Sequence, residues 1–381
     1  MSRPKVPKHK AMELANLVLL AYHMYEDFAE STALKTENDW SFPNVLHGSA
    51  ESSFDYRNPL NRHTNEEPIE YEVLAEFWHT DRPVGRLRLE TVPFGFIASR
   101  KSTHALKRRQ EVFVVFRGTL NSQEWAANSR YRKAQVVKGI DSEGYIHQGF
   151  NSVFEVSYLG RLGTIRGFYT NTKRRLLGAQ PPLETRQRSI RETLESVLFN
   201  SDLVDTDAHI YITGHSLGGA LALLAGRVIA NSGRLMASGK DGSKINPYSD
   251  SLAICTFAGP RVGDKAFKSV FKDITVVRYV NSEDIVPTVP PATSKLLGED
   301  MRLTPEGLQA FKAQGVASVV NTFNATAGTV QRDSKMSRNV PFTHIGQQRT
   351  FTLSQDSISF NHNHEVTYRE GILRCHEARQ D

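Results

Sequence analysis

The pentapeptide Gly-His-Ser-Leu-Gly at positions 214–218 constrains this chain more than any other stretch, because of what flanks it. A short apolar run rich in β-forming residues, 209–213, precedes it, and a proline-free run rich in alanine and leucine, 217–230, follows it. The first run predicts a strand and the second a buried helix. A serine between two glycines at a strand-to-helix turn is typical of a catalytic nucleophile, here Ser216.

The backbone of this turn accounts for both glycines of the pentapeptide. A serine on so sharp a turn has a strained backbone, and a side chain at Gly214 or Gly218 would collide with the neighbouring strand and helix. The turn would hold Ser216 Oγ at the amino terminus of the helix, where the helix dipole favours developing negative charge. An ordinary structural turn is the alternative interpretation, because glycine and serine often meet in turns.

Length and composition are those of a globular α/β protein. The chain has 381 residues, of which 39% are hydrophobic and 23% charged, so it can bury a substantial core. The two cysteines, Cys255 and Cys375, are too few for a disulfide framework and favour a reducing compartment. The formal charge of +6 permits attraction to anionic surfaces. Nucleic acid is not expected as a partner, because the arginines are not interleaved with base-stacking aromatic residues.

The amino terminus has a basic stretch followed by an apolar one. The apolar run 14–22 includes Asn16 and leads directly into residues 23–27, which include Glu26 and Asp27. No cleavage site with small residues follows, so the sequence predicts an amphipathic helix and not a signal peptide. No apolar stretch is long enough to span a bilayer. We therefore expect a cytoplasmic or membrane-peripheral protein.

A second functional stretch follows the apolar run 111–116, which predicts a core strand covered on both faces. It begins with Arg-Gly-Thr at positions 117–119. An acyl-transfer site needs two N–H donors directed at the oxyanion, one from the residue after the nucleophile and one from a loop after an early strand. Leu217 would supply the first donor, and Thr119 is the best candidate for the second. The loop lacks the HGGG sequence found in many esterases.

The acid that orients a catalytic histidine should stand at the carboxyl end of a strand after the nucleophile. The run 276–280 predicts such a strand, and Asp284 follows it. Two other acids are rivals. Asp264 lies one strand too early, and Glu283 is less well placed than its neighbour, which is followed by the apolar pair 285–286. We therefore predict that Asp284 is the acid.

Four histidines are candidates for the general base. His147 precedes the nucleophile in the chain, and His344 lies within an apolar segment that is expected to form a strand. His362 and His364 lie two residues apart at a predicted loop-to-helix junction. We favour His364, because packing of the adjoining helix could lock its imidazole towards Ser216, and we keep His362 as the alternative.

The order of Ser216, Asp284 and a carboxyl-terminal histidine is the order that the α/β-hydrolase fold produces. In such a triad the histidine takes the proton from the serine and later returns it to the leaving alcohol. The aspartate fixes the imidazole tautomer, and the N–H donors bind the tetrahedral oxyanion. This chemistry needs no metal and no cofactor.

Several separate blocks of the sequence resemble the class 3 lipases, the fungal-lipase-like α/β-hydrolases. The blocks occur in the family's order between about positions 94 and 373, and their joint occurrence is more specific than any one of them. They are Phe116-Arg-Gly-Thr119, Glu124-Trp125, His147-Gln-Gly-Phe150, Gly214-His-Ser-Leu-Gly218, Phe257-Ala-Gly-Pro-Arg-Val-Gly263 and Asp284-Ile-Val-Pro287, with a terminal histidine followed by Tyr368.

The resemblance implies a mostly parallel central sheet flanked by helices, and hydrolysis of carboxylic esters of acyl lipids. It assigns the nucleophile, the acid and the oxyanion donors to the residues already named. It also implies a short lid at 121–128, where Trp125 would lie. The disulfides and signal peptides of secreted fungal members have no counterpart in this sequence, so secretion is not carried over.

We expect one α/β-hydrolase domain over residues 1–381, with an amino-terminal helix and irregular lead-in at 1–66 and the hydrolase core at 67–373. Two insertions exceed a minimal member of the family: a basic segment at 161–191 and a helical segment at 291–340. The basic segment is a candidate for peripheral contact with an anionic lipid surface, and a solvated face is the alternative.

Two further structural expectations concern the middle and the end of the chain. The proline pair at 181–182 marks the start of a helix, and apolar residues continue at helical spacing over 183–199. Near the carboxyl terminus, the segments 340–346 and 350–353 predict a final hairpin or strand pair.

We expect a serine lipase that acts on triacylglycerol or a related glycerolipid. The alternatives are an esterase for small soluble or aryl esters, an acyltransferase that uses the same acyl-enzyme, and a non-catalytic signalling protein on a lipase fold. The last alternative is disfavoured because Ser216, Asp284 and a terminal histidine are all present. Activity on soluble and on aggregated esters would separate the lipase from the esterase.

Overall fold

The structure is a computed structural model that describes residues 4–33, 42–48, 69–81, 90–101, 109–119, 136–138, 144–155, 188–236, 250–289, 342–355 and 358–375. The predicted lid with Trp125, the basic segment up to position 187 and the helical insertion 291–340 lie outside the described residues. The division of the chain into a lead-in and a hydrolase core stays a prediction.

The described strands form one eight-stranded sheet and one two-stranded sheet. In chain order they are β1 (Val45–Gly48), β2 (Ile69–Asp81), β3 (Glu90–Lys101), β4 (Gln110–Phe116), β5 (Val136–Lys138), β6 (Tyr145–His147), β7 (His209–His215), β8 (Leu252–Phe257), β9 (Thr275–Asn281) and β10 (Gln347–Phe351). The large sheet runs β1-β2-β3-β4-β7-β8-β9-β10, and β5 pairs with β6. Its first four strands are antiparallel, whereas β4 and the four strands beyond it are parallel.

Helices cover both faces of this sheet. They are α1 (Lys8–Ala33), α2 (Gln148–Glu155), α3 (Ile190–Phe199), α4 (Leu217–Met236), α5 (Lys265–Ser269), α6 (Ile358–Asn361) and α7 (Arg369–Arg374), with a 3-10 turn at Val286–Thr288 and a π-helical turn at His364–Tyr368. Residues of α2, α3 and α4 share one hydrophobic core, and residues of α1 and α7 share the other. The α/β-hydrolase fold that the sequence predicts is confirmed.

The apolar part of β4, from Val112 to Phe116, is covered on both faces of the sheet. Successive side chains of a strand point to opposite faces of a sheet. Val112 and Val114 pack into the core with α2, α3 and α4, whereas Phe113 and Val115 pack into the core with α1. A strand with both faces covered has no place for the alternating polar residues of a half-exposed strand.

The predicted amino-terminal helix is present as α1, but it is not amphipathic over its central part. Every residue from position 10 to position 22 is buried. The buried charges of Lys10 and Glu13 are 2.8 Å apart, and Lys10 also lies 3.1 Å from Glu111. Arg100 lies 2.9 Å from Glu13 and 2.7 Å from Glu111. Two cations and two anions therefore offset one another, which buried charges require, and they fix α1 on the sheet.

The predicted hairpin at the carboxyl end of the chain is wrong. Among the described residues this region has one strand, β10, which pairs parallel with β9. Thr343 makes only an isolated bridge with Gly263. Gly346 turns the chain into β10 with φ of +92°, and a Cβ there would lie 2.5 Å from the carbonyl oxygen of Val276. Two short apolar segments do not reveal from sequence whether they pair with each other or with a third strand.

The helix predicted to follow the proline pair begins later than its sequence suggests. Ser189 accepts a hydrogen bond from the N–H of Glu192, and the Glu192 carboxylate accepts one from the N–H of Ser189. This reciprocal capping box starts α3 at Ile190.

Of the helices in the described ranges, none is both long and apolar enough to cross a membrane.

Candidate active site

The turn between β7 and α4 has the strained geometry expected of a nucleophile elbow. Ser216 has φ of 56°, a conformation that non-glycine residues rarely adopt. A Cβ on Gly214 would lie 2.2 Å from the carbonyl oxygen of Gly218, and a Cβ on Gly218 would lie 2.5 Å from that of Phe116. Neither backbone atom can move aside easily, so both positions require glycine. The sequence interpretation of the two glycines is confirmed.

The backbone of Ser216 makes hydrogen bonds, whereas its hydroxyl makes none within the described ranges. Its N–H donates to the carbonyl oxygen of Phe257 at 2.9 Å, and its own carbonyl oxygen accepts from the N–H of Gly219 at 2.9 Å. The Ser216 side chain is fully buried, and Oγ has no hydrogen-bond partner within the described ranges. A buried hydroxyl without a partner is rare in folded proteins and is typical of functional sites.

The loop after β4 lies against this elbow. A Cβ on Gly118 would lie 2.9 Å from Ser216 Cβ. Thr119, the next residue, has a buried Oγ1 without a hydrogen-bond partner in the described part of the chain. The N–H groups of Thr119 and of Leu217, the first residue of α4, also donate to no acceptor among the residues that the structure describes. The structure thus places Gly118, the residue before Thr119, against Ser216, the residue before Leu217.

Asp284 lies after β9 with its carboxylate buried and fully engaged. Oδ1 accepts a hydrogen bond from the N–H of Val286 at 2.9 Å. Oδ2 lies 2.7 Å from His362 Nδ1 and accepts a hydrogen bond from the hydroxyl of Tyr368 at 2.6 Å. The carboxylate is therefore fixed by groups from two segments of the chain.

The two rival acids do other things. Asp264 caps α5, because its Oδ1 accepts a hydrogen bond from the N–H of Phe267 at 2.9 Å. Glu283 is buried beside Asp284, and the hydroxyl of Ser282 lies 3.5 Å from its Oε1. Asp284, by contrast, has a carboxylate oxygen within hydrogen-bonding distance of a histidine, His362.

His362 is the histidine that pairs with Asp284. Because Nδ1 faces a carboxylate oxygen, it carries the proton, and Nε2 is left as the lone-pair nitrogen. Nε2 is buried and has no hydrogen-bond partner in the described ranges. The ring centroid of His362 lies 4.6 Å from that of His215, the residue before the nucleophile. This is the tautomer and the neighbourhood that a general base for Ser216 requires.

The preference for His364 over His362 is contradicted by this geometry. His364 Nε2 donates to the carbonyl oxygen of Ala15 in α1 at 2.8 Å. Its ring stacks on Tyr22, with centroids 6.1 Å apart, and meets the edge of Phe257. Burial lowers the pKa of His364 to about 3. The helix start does lock this imidazole, as the sequence suggests, but it locks it against α1 and away from Asp284.

The other two candidate histidines contact groups other than Asp284, and His344 precedes β10 and does not lie in the strand predicted for it. His147 ends β6, and its Nδ1 accepts a hydrogen bond from the N–H of Gly149 at 3.1 Å. Burial lowers its pKa to about 3. Nδ1 of His344 lies 2.8 Å from a guanidinium nitrogen of Arg278. Burial and then the Arg278 charge lower the pKa of His344 to about 2.

Two tyrosines that sequence reasoning did not assign contact residues of the site. Tyr368 contacts Asp284, and Tyr22 of α1 contacts both His215 and Gly118. Tyr368 stood out in the sequence only as part of a family pattern. Tyr22 stood out only as the end of an apolar run, and no local signal indicates a partner in the nucleophile turn.

Metal ligation is not suggested by the part of the chain that the structure describes. No group of three or more histidine, cysteine, aspartate or glutamate side chains there could hold a metal ion. The three imidazoles near the nucleophile, those of His215, His362 and His364, pack as rings.

Comparison with known proteins gives a family match for part of the chain. The model of the family described as Lipase (class 3) matches residues 113–294. That segment belongs to the class 3 lipases. It contains the oxyanion loop, the elbow and Asp284, whereas α1 and His362 lie outside the matched class 3 lipase segment.

Relatives of this class 3 lipase segment include two plant proteins. Phospholipase A1-IIgamma of Arabidopsis thaliana is 28% identical over 218 residues, 55% of this chain and 46% of that protein. Phospholipase A1-Igamma2, chloroplastic, of the same plant is 30% identical over 188 residues, 48% of this chain and 31% of that protein. The chain therefore spans less than half the length of either protein. Among solved structures, the lipase from Rhizopus microsporus var. chinensis is 25% identical with a TM-score of 0.32, over 58% of this chain and 56% of that chain.

Proposed function

We propose that the protein hydrolyses carboxylic esters of acyl lipids through Ser216, His362 and Asp284. The observation that carries this proposal is the pair of buried atoms without partners, Ser216 Oγ and His362 Nε2, beside a carboxylate that holds the imidazole in the basic tautomer. A nucleophile, a base and an orienting acid in this relationship are the requirements of acyl transfer.

In the first half of the reaction, Ser216 Oγ attacks the acyl carbonyl carbon as His362 Nε2 takes the hydroxyl proton. The carbonyl π electrons move to oxygen, and the oxyanion is bound by the N–H groups of Thr119 and Leu217 and by the Thr119 hydroxyl. When the intermediate collapses, the bond to the leaving oxygen breaks and His362 gives that oxygen its proton. The alcohol leaves and an acyl-enzyme remains.

In the second half, water attacks the acyl carbon of the Ser216 ester. His362 takes a proton from the water, the oxyanion forms again in the same position, and collapse returns the proton to Ser216 Oγ. A fatty acid is released. Asp284 stays ionised throughout and stabilises the imidazolium that forms twice in each cycle.

The substrate class that we propose is a glycerolipid, with phospholipids to be tested first. The support for phospholipids is the naming of both plant relatives as phospholipases A1. The assay is a panel of phospholipid, triacylglycerol, galactolipid and a short-chain soluble ester, each below and above its aggregation concentration. Turnover confined to the soluble ester would favour the esterase alternative.

The nucleophile is tested with Ser216→Ala. We expect this variant to lose labelling by a fluorophosphonate and to lose several orders of magnitude, about 10⁴-fold or more, in turnover. The matched control is Ser269→Ala, which removes the hydroxyl of an exposed serine on α5 and should retain both properties. Labelling of the Ser216→Ala variant at the wild-type rate would show that the nucleophile lies elsewhere and would refute the proposal.

A further inference from the structure

Gly118 is the point at which the oxyanion loop, the nucleophile elbow and α1 meet. A Cβ at this position would lie 2.5 Å from the hydroxyl oxygen of Tyr22, 2.9 Å from the carbonyl oxygen of His215 and 2.9 Å from Ser216 Cβ. Three separate segments of the chain therefore approach the same glycine. Such close approach is possible only without a side chain.

Each of the two peptide groups that flank Gly118 is held by a side chain. The N–H of Gly118 belongs to the first peptide group, and it donates to the hydroxyl oxygen of Tyr22 at 2.9 Å. The carbonyl of Gly118 belongs to the second, and it accepts from a terminal nitrogen of Arg117 at 2.7 Å. The second peptide group also contains the N–H of Thr119.

The guanidinium of Arg117 is itself fixed. Nε donates to the carbonyl oxygen of Pro93 at 2.8 Å, so the fork spans two backbone segments. Its central carbon lies over the rings of Tyr25 and Phe94, 4.0 Å and 4.7 Å from their centroids. A buried guanidinium held in this way has little freedom to follow the Gly118 carbonyl if that carbonyl rotates.

The hydroxyl of Tyr22 joins the loop to the elbow. Because its oxygen accepts from Gly118, its proton is directed to Nδ1 of His215, 2.8 Å away. Burial raises the pKa of Tyr22 above its ordinary value, so the phenol keeps this proton. The chain from Gly118 to Tyr22 to His215 spans a loop, a helix and the residue next to the nucleophile.

We propose that Tyr22 and Arg117 are positioning residues that together aim the N–H of Thr119 at the oxyanion formed above Ser216. A trans peptide group is planar, and its C=O and N–H point in opposite directions. The hydrogen bond from Arg117 to the Gly118 carbonyl therefore sets the direction of the Thr119 N–H. Tyr22 occupies the Gly118 N–H and so restrains the preceding peptide group from turning. This inference rests on the proposed function.

A consequence is that α1 is part of the support of the active site. α1 carries Tyr22 and is fixed on the sheet by the ion pairs of Lys10 and Glu13 with Arg100 and Glu111. The segment that matches the lipase family begins at position 113, so this support comes from outside it. The contacts that hold the oxyanion loop thus come from the chain itself, which is what electrostatic preorganisation requires.

The test is Tyr22→Phe, which keeps the ring and removes the hydroxyl. We expect kcat for a soluble ester to fall about 10- to 100-fold while KM changes less than about threefold, because the oxyanion is present only in the transition state. Affinity for a trifluoromethyl ketone, which forms a tetrahedral adduct with the serine, should fall by a similar factor. Arg117→Lys, which keeps the charge but loses the fork, should move both values in the same direction.

The matched control is Tyr71→Phe, another buried tyrosine whose hydroxyl bonds to α1, through Glu13 at 2.8 Å. It should lose thermal stability as Tyr22→Phe does and keep the wild-type kcat. Wild-type kcat and ketone affinity in a folded Tyr22→Phe would overturn this inference and leave the proposed function intact. If Tyr22→Phe does not fold, the same two readouts on Arg117→Lys decide the matter. The proposed function is tested separately, by labelling and turnover of Ser216→Ala and by the substrate panel.

Discussion

Tyr368 donates a hydrogen bond from its hydroxyl to Oδ2 of Asp284 at 2.6 Å. The same oxygen faces Nδ1 of His362 at 2.7 Å, and the other carboxylate oxygen accepts the N–H of Val286. A carboxylate oxygen has two lone-pair directions, so both directions of Oδ2 are used. The tyrosine therefore settles the rotation of the carboxylate about its side-chain bond, and with it the direction in which the imidazole is held.

Removal of this hydroxyl should weaken catalysis without abolishing it. In Tyr368→Phe, Oδ2 loses one donor and the N–H of Asn281 loses the acceptor that lies 3.2 Å away. We expect a loss of stability of about 1–3 kcal/mol, because a buried polar group is left without a partner. We also expect kcat to fall by about one order of magnitude, since the imidazole is less well oriented. Ester turnover and urea unfolding measure the two effects.

A second tyrosine provides the control for this variant. Tyr211 is buried in β7, and its hydroxyl has no hydrogen bond to any residue that the structure describes. Tyr211→Phe should leave kcat unchanged. If Tyr368→Phe also turns over at the wild-type rate, the carboxylate does not depend on the tyrosine for its orientation.

The two neighbouring histidines should behave differently on substitution. His362→Ala removes the imidazole on Asp284, and we expect turnover of a soluble ester to fall about 10⁴-fold or more. His364→Ala removes the hydrogen bond to Ala15 and buried packing, so it should lower the free energy of unfolding by about 2–4 kcal/mol and reduce turnover only modestly. Steady-state kinetics on both variants and their thermal unfolding provide the comparison.

Each variant is the control for the other, because the two imidazoles are both buried and lie two residues apart in the chain. An active His362→Ala together with a folded but inactive His364→Ala would reverse the assignment made from the geometry.

The nucleophile turn could be predicted from sequence because everything that defines it is local. The strand, the glycines and the helix lie within 209–236, and each leaves its own mark on the residues. Asp284 could be predicted for a related reason, since a parallel strand fixes where its carboxyl end lies. The N–H of Leu217 follows from the turn itself.

The choice between His362 and His364 could not be predicted, because the deciding contact is remote. The acceptor for His364 is the carbonyl of Ala15, 349 positions away along the chain. No spacing near the carboxyl terminus shows that α1 will lie there. The burial of α1 could not be predicted for the same reason, because the groups that offset the charges of Lys10 and Glu13 are Glu111 and Arg100 of other elements.

The basic segment at 161–191 gives a prediction about membrane binding. Attraction of this segment to an anionic surface is screened over roughly 8 Å at physiological salt. We therefore expect binding to vesicles that contain anionic lipid to fall steeply as salt is raised, while turnover of a soluble ester barely changes. Vesicle co-sedimentation at low and high salt measures this, with neutral phosphatidylcholine vesicles as the reference.

A matched pair of triple variants locates the effect. Lys173→Gln, Arg174→Gln and Arg175→Gln together remove three charges from the basic segment, and Lys265→Gln, Lys268→Gln and Lys272→Gln remove three exposed charges elsewhere. Only the first set should weaken binding to anionic vesicles. Equal losses in both sets would assign the attraction to net charge, and binding that is independent of salt would make the segment a solvated face.

Burial of His364 in its neutral form makes stability depend on pH. Its pKa is lowered from the ordinary 6.5 to about 3, with burial as the main cause. Between these values the unfolded chain binds a proton that the folded chain does not, so the free energy of unfolding rises with pH across this window. The contribution of neutral His364 to stability is therefore lost as pH falls below 6.5. At pH 5 the cost from this one residue is about 2 kcal/mol.

His364→Gln keeps a donor for Ala15 and removes the titration. Relative to the wild type, it should therefore lose about 2 kcal/mol less between pH 7 and pH 5 in urea unfolding. The control His9→Gln, at an exposed position of α1, should follow the wild-type curve. If the His364→Gln curve runs parallel to that of the wild type, protonation of His364 does not contribute to acid unfolding.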